Sequence, residues 1–206
     1  ARGRWLEVAQ LAGSVFGMAR EAMRPPLMRL FTLAFMLTFV LAALEATFAL
    51  MVAQVYGYGA FGVGALLGFA GLVQAITQGY LLGKLVPRFG ELKLLRAGAL
   101  ALAIGFAPLG SIRSHAVLLV LLALVAAGYG LSSPAVASLL SRRSERHAQG
   151  AVLGINQSAL SMARIFGPLF GAAAYAALGP AAPYVGGAMV ALVALMLTRG
   201  IDSVSA

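Results

Sequence analysis

Read from one end to the other, the chain is six long apolar runs separated by short polar breaks, at residues 27–55, 61–86, 94–112, 116–140, 150–178 and 181–198. Each run is continuously apolar and does not alternate, the pattern of a helix with no wet face and not of a barrel strand. About 20 apolar residues in a helix cross the hydrocarbon core of a bilayer. The expected fold is therefore all-α: a polytopic membrane protein of six transmembrane helices.

The polar breaks are of two kinds. Of the 15 Lys and Arg residues, 13 fall at 2–29, at 84–96, and in two pieces at 142–146 and 199. The other breaks, at 55–60, 111–115 and 179–183, carry only Arg113. Basic loops stay on the cytoplasmic side of a membrane. An even number of crossings then puts both termini there. Three segments are expected: a cytoplasmic linker or amphipathic segment over 1–26, the bundle over 27–198, and a cytoplasmic tail over 199–206. The chain opens on Ala1 and not on Met, so its start is expected to be a cut, processed or taken from the middle of a longer protein.

Composition narrows the function. Hydrophobic residues make up 61% of the chain and charged residues 10%, against about 25% charged in a soluble domain. The net charge of +9 would suit nucleic acid, but the cations sit at the ends of apolar runs, where topology accounts for them. No nucleic-acid partner is expected. The chain has no Cys, which removes disulfides and thiol chemistry. His115 and His147 fall in loop regions without a partner at ligand spacing, so neither a metal nor a cofactor is expected. Ser132 and Ser133 lie within a run, yet no His does, and no pair of Asp residues lies in the membrane. A phosphate-binding Gly-x-x-x-x-Gly-Lys-Ser/Thr loop is also absent. The chain does not read as an enzyme.

A repeat runs through it. Gly64-Ala65-Leu66-Leu67-Gly68 in the second run returns as Gly150-Ala151-Val152-Leu153-Gly154 in the fifth, and Gly79 and Gly83 correspond to Gly167 and Gly171. The offset is three runs, so the copies would cross the membrane in opposite directions, as two inverted three-helix repeats. Glycines four apart share a helix face, on which another helix can approach closely.

Between the second and third runs stands Gly83-Lys84-Leu85-Val86-Pro87-Arg88-Phe89-Gly90-Glu91-Leu92-Lys93. It resembles the cytoplasmic loop signature of the major facilitator superfamily, Gly-x-Leu-x-Asp-Arg-x-Gly-Arg-Arg. Gly83, Leu85, Arg88 and Gly90 match, and Lys93 keeps the basic tail. Pro87 stands in place of the Asp and Glu91 in place of a basic residue, which puts a latch built on that Asp in doubt. The fifth run, with Asn156-Gln157-Ser158, Arg164, Gly167-Pro168 and Gly171, is similar to the penultimate helix of drug-efflux members, the tetracycline-efflux-like group included. The fourth, with Gly128-Tyr129-Gly130 and Pro134, is similar to the matching helix. The resemblance covers nearly the whole chain, as the C-terminal half of a twelve-span transporter. It implies a gating role for Gly83, Arg88, Gly90, Glu91 and Lys93, and neighbouring first and fifth helices.

Glu45 and Arg164 lie inside apolar runs, where a charge near a helix centre costs about 2.5–3.5 kcal/mol on insertion scales. At 1.5 Å per residue they stand about 27 Å and 22 Å from the same side. With the resemblance, this spacing predicts an ion pair or shared polar cluster, which either couples proton flow to transport or holds two helices together. Gln74, Thr77 and Gln78 share one face of the second run, and Gln157, Ser161 and Arg164 one face of the fifth. Together with Asn156 and Tyr129, these are the candidate lining of a cavity.

The function expected from all of this is secondary active transport by alternating access. A small amphipathic compound would move outward, driven by protons, through a bacterial inner membrane. The partners are an N-terminal six-helix half or a second copy, the small-molecule substrate, the proton and the lipid bilayer. The alternative is a non-transporting or dimerising half-size membrane module.

Overall fold

Pro25 and Pro26 open the first helix, where a missing N–H and a fixed φ cost nothing, and Arg24 enters it in an extended conformation. This helix, α1 (Pro25–Tyr56), ends at Gly57, whose left-handed φ of 71° lets its N–H return to the Ala53 carbonyl. The structure is a computed structural model describing residues 24–204. The linker expected over 1–26 therefore lies, apart from residues 24–26, outside the described residues, as do 205 and 206 of the tail.

Five further helices follow: α2 (Ala60–Phe89), α3 (Glu91–Leu109), α4 (His115–Arg143), α5 (Gln149–Leu178) and α6 (Ala182–Thr198), which tightens into a 3₁₀ turn over Arg199–Val204. Every regular element among the described residues is helical. The run expected at 94–112 is set three residues too far along the chain at both ends. Pro108 accepts hydrogen bonds from Ser111 and Ile112, and this turn closes the helix at Leu109. His115, expected in a loop, is the first residue of α4.

Five helices are long and apolar enough to cross a membrane: α1, α2, α3, α4 and α6 with its following turn. Helix α5 has 30 residues but is not among them. It carries Asn156, Gln157, Ser158, Ser161 and Arg164 within its length.

The packing has an internal regularity. Helix α1 packs on α5 and α6, whereas α4 packs on α3 and α2. Exchanging the first three helices for the last three maps one set of neighbours onto the other. The α1–α4 and α3–α6 contacts map onto themselves. The core runs down the middle, through Leu30, Leu37, Phe48, Leu102, Phe106 and Leu122. Helices α2 and α5 are peripheral: of α2 only Leu66 and Thr77 are buried.

Small residues set the closest approaches. A methyl group built on Gly98 would lie 2.5 Å from the Gly128 carbonyl, and one on Gly128 would lie 2.8 Å from the Gly98 carbonyl, so α3 and α4 cross backbone to backbone. On α5, Gly167 meets the Phe39 carbonyl and Gly171 the Ala43 carbonyl of α1 in the same way. The other repeated glycines, Gly64, Gly68, Gly79, Gly83, Gly150 and Gly154, face open space. The close-approach reading thus holds for one spaced pair and fails for the rest, since spacing marks a face but not whether a helix lies against it.

One end of the bundle gathers both described chain ends. Arg24 pairs with Glu145 in the α4–α5 connection at 2.9 Å. Arg29 donates to the Gly200 carbonyl, Arg143 to Ile201 O at 3.4 Å, and Arg96 to both Thr198 O and Oγ1, at 3.1 and 3.2 Å. Cations thereby meet the carbonyls at the C-terminal end of α6, where the helix dipole favours them. At the opposite end the Tyr56 hydroxyl donates to Ile112 O at 2.7 Å, and His115 packs edge-on against Tyr56 and Tyr58.

Candidate functional site

A cavity of about 350 Å³ opens between α1, α2 and α4. Leu44, Leu67, Leu122 and Val125 make most of its wall apolar, and Glu45 and Gln74 are its polar members. The helical order explains the placement: α4 packs on both α1 and α2, while α1 and α2 barely touch, which leaves a cleft between them. A site of this size with few polar groups suits a small, largely apolar molecule held at one end.

Gln74 and Gln78 are not partners in this cavity. Over Thr77–Leu81 the helix widens to a π-helix. Gln78, within that segment, is exposed, whereas Gln74 is half-buried. Thr77 is buried, donates to the Val73 carbonyl at 2.8 Å and packs against Gly130, whose missing side chain admits it.

Glu45 and Arg164 lie on the packed helices α1 and α5. No direct ion pair joins them among the described residues. Both are exposed, as are Gln157 and Ser161, the latter donating back to Gln157 O at 2.9 Å. Asn156 turns the other way. It is buried with Tyr129 beside a second, much smaller cavity of about 50 Å³, together with Thr38 and Ser133. The Thr38 and Tyr129 hydroxyls are 3.2 Å apart. The candidate coupling and lining residues thus divide into a cleft pair, Glu45 and Gln74, a buried pair, Tyr129 and Asn156, and exposed helix faces.

The loop signature surrounds the α2–α3 turn. Gly90 takes φ 77°, a left-handed conformation that side chains resist, and so allows the two helices to fold back on each other. Arg88, with Lys84 and Tyr80, lines a shallow groove on α2, and the Lys84 ammonium stands 4.0 Å over the Tyr80 ring. Lys93 is exposed. Glu91 meets two groups of α4: Ser138 donates to it at 3.1 Å, and Arg142 lies 3.3 Å away. Sequence reasoning singled out Glu91 but missed Ser138 and Arg142. Nor did it find Thr38, and it weighed Ser133 only as a nucleophile, since a hydroxyl in an apolar run carries no mark of what it faces.

The family description of the Major Facilitator Superfamily matches residues 30–203. Over 134 residues, 65% of its length, the chain is 31% identical to Multidrug resistance protein 1 of Bacillus subtilis (strain 168), covering 34% of that protein. Over 115 residues, 56% of its length, it is 32% identical to the class C Tetracycline resistance protein of Escherichia coli, covering 29% of it. The chain therefore spans about a third of the length of the curated relatives it matches. Among solved structures, the human organic anion transporter MFSD10 (TETRAN) superposes with a TM-score of 0.77 at 25% identity, over 82% of this chain and 40% of that one.

Proposed function

The chain belongs to the major facilitator superfamily, and we propose that it is the C-terminal six-helix half of a secondary active transporter working by alternating access. It is an integral membrane protein of a transporter family and not an enzyme. On this reading α5 is the sixth crossing. The bundle is two inverted three-helix repeats with both termini cytoplasmic, in a bacterial inner membrane. The neighbour pattern that maps onto itself when the halves are exchanged supports the repeat, and the basic end of the bundle supports the orientation.

The observation that carries the function is the cleft between α1, α2 and α4, apolar but for Glu45 and Gln74. It suits a small amphipathic compound. Glu45 is the candidate group for coupling export to protons. The exposed polar residues of α5, Gln157, Ser161 and Arg164, are costly against lipid. That cost supports a second bundle or a water-filled path beside them, which an N-terminal half or a second copy would supply.

Two measurements test this. The native gene product extracted from its membrane should have about twice the 21.2 kDa mass of this chain. A native mass near 21.2 kDa would leave only a dimer as transporter. The intact protein in proteoliposomes should then move a lipophilic fluorescent compound when a pH gradient is imposed. Folded protein that moves none, with the gradient in either direction, would replace transport by the module reading.

A further inference from the structure

We propose that the small cavity between α1, α4 and α5 is a binding site for one water molecule, which hydrogen-bonds Asn156 and ties α5 to the Thr38–Tyr129 pair. Asn156 is only 8% exposed, and its Oδ1 is fully buried without a hydrogen-bond partner. Buried polar atoms are almost always paired, with protein or with ordered water. The cavity that Asn156 lines holds about 50 Å³. About 10–15 Å³ of such space is enough to hold a water molecule, so at least one fits and a drug-sized molecule does not.

The wall supplies the partners that such a water needs. Internal waters make about three hydrogen bonds. Here the cavity is lined by the Asn156 amide and by three hydroxyl residues, Thr38, Tyr129 and Ser133. The Thr38 and Tyr129 hydroxyls, 3.2 Å apart, share one proton between them, whichever of the two donates. The second proton and the spare lone pairs remain for a third molecule.

A monovalent cation fits less well. The lining holds neutral oxygens and no carboxylate, and a bare charge taken out of water without a counter-charge is strongly disfavoured. The orientation of the amide gives a second reason. Turned by 180°, Asn156 would present its NH₂ to the same space. Water accepts from that group as readily as it donates to the oxygen, whereas a cation could not.

The consequence concerns the rotation of α5. Asn156 and Gln157 are consecutive and point apart, one into the bundle and one outward. Fixing Asn156 through the water fixes which face of α5, with Gln157, Ser161 and Arg164, looks away from the bundle. This inference is independent of the transport reading.

The test is a structure of the intact protein at a resolution that orders internal water. One density peak is expected within hydrogen-bond distance of the Asn156 side chain and of at least one of the three hydroxyls. It should vanish in Asn156→Leu and persist, with fewer partners, in Tyr129→Phe. A dry wild-type cavity overturns the proposal by itself, so the test stands even where Asn156→Leu fails to fold. Thermal unfolding in sodium chloride and in choline chloride at equal ionic strength should coincide. A higher midpoint in sodium, with density at cation–oxygen distances, would make this a sodium site and overturn the water.

Discussion

Glu91, the first residue of α3, holds Arg142 of α4 at 3.3 Å, with its side chain 12% exposed while that of the arginine is 72% exposed. Ser138, one turn earlier on α4, donates to the same carboxylate oxygen at 3.1 Å. An acid at the N-terminus of α3 is also where the helix dipole favours it. One of the two residues that depart from the usual loop signature, Glu91, is therefore the one that fastens the α2–α3 turn to the end of α4.

The asymmetry of exposure predicts an asymmetry of effect. Glu91→Ala should cost about 1–2 kcal/mol, because it strips Ser138 of its acceptor. Arg142→Ala should cost about 0.5 kcal/mol or less, since a solvated cation pairs weakly. Unfolding of the single and double variants in detergent measures both costs and their coupling. An Arg142→Ala loss as large as that of Glu91→Ala would contradict this account.

Gly171 and Gly83 occupy corresponding places in the repeat but opposite environments. A methyl group at Gly171 would lie 2.8 Å from the Ala43 carbonyl and 3.2 Å from Thr47 Cγ2, whereas one at Gly83 meets nothing within 4 Å. Gly171→Ala should force α5 off α1 at a cost of about 1–3 kcal/mol. Gly83→Ala should be neutral or stabilise by up to about 1 kcal/mol through helix propensity. Thermal unfolding of the two variants side by side decides, and equal midpoints would refute the assignment of contacts.

That pair also marks how far the sequence could be read. Continuous apolar runs marked the six helices and most of their ends, because a helix needs only local hydrogen bonds and an apolar surface. The end of α2, both ends of α3 and the end of α4 lie three residues from where the runs put them, because ends depend on turns. Partners are a tertiary matter. The pattern Gly-xxx-Gly reads alike at 79–83 and 167–171, yet only the second has a helix against it. The π-helix at Thr77–Leu81 left no trace in residue type. Glu45 and Arg164 stood out as charges among apolar residues. Thr38 did not, and Ser133 stood out only as a rejected nucleophile, although both line the same small cavity as Asn156.

Arg96 reaches from α3 to both oxygens of Thr198 at the end of α6. Arg96→Met keeps the aliphatic stem but leaves the Thr198 carbonyl without this donor. The variant should lose about 1–3 kcal/mol, as expected for a hydrogen bond to a charged group. The loss should be local first: backbone amides of 199–204 should exchange with deuterium faster than in the wild type, with α1 and α4 unchanged. Uniformly faster exchange would mean that Arg96 supports the whole bundle and not its last turn.

Glu45 is the remaining test, and its two roles predict opposite signs for stability. The side chain lines the apolar cleft beside Gln74 and makes no direct ion pair with Arg164 among the described residues. A charge near a helix centre costs about 2.5–3.5 kcal/mol on insertion scales, so a neutral amide of the same shape should be tolerated or should stabilise. If Glu45 carries the proton, Glu45→Gln keeps the fold and the cleft but abolishes gradient-driven movement of a lipophilic compound in proteoliposomes, while downhill exchange continues. Were Glu45 a structural partner of Arg164, the same substitution would lower the unfolding midpoint and leave coupling intact in whatever protein folds. Gradient-driven transport that persists at equal protein level would remove Glu45 as the coupling group.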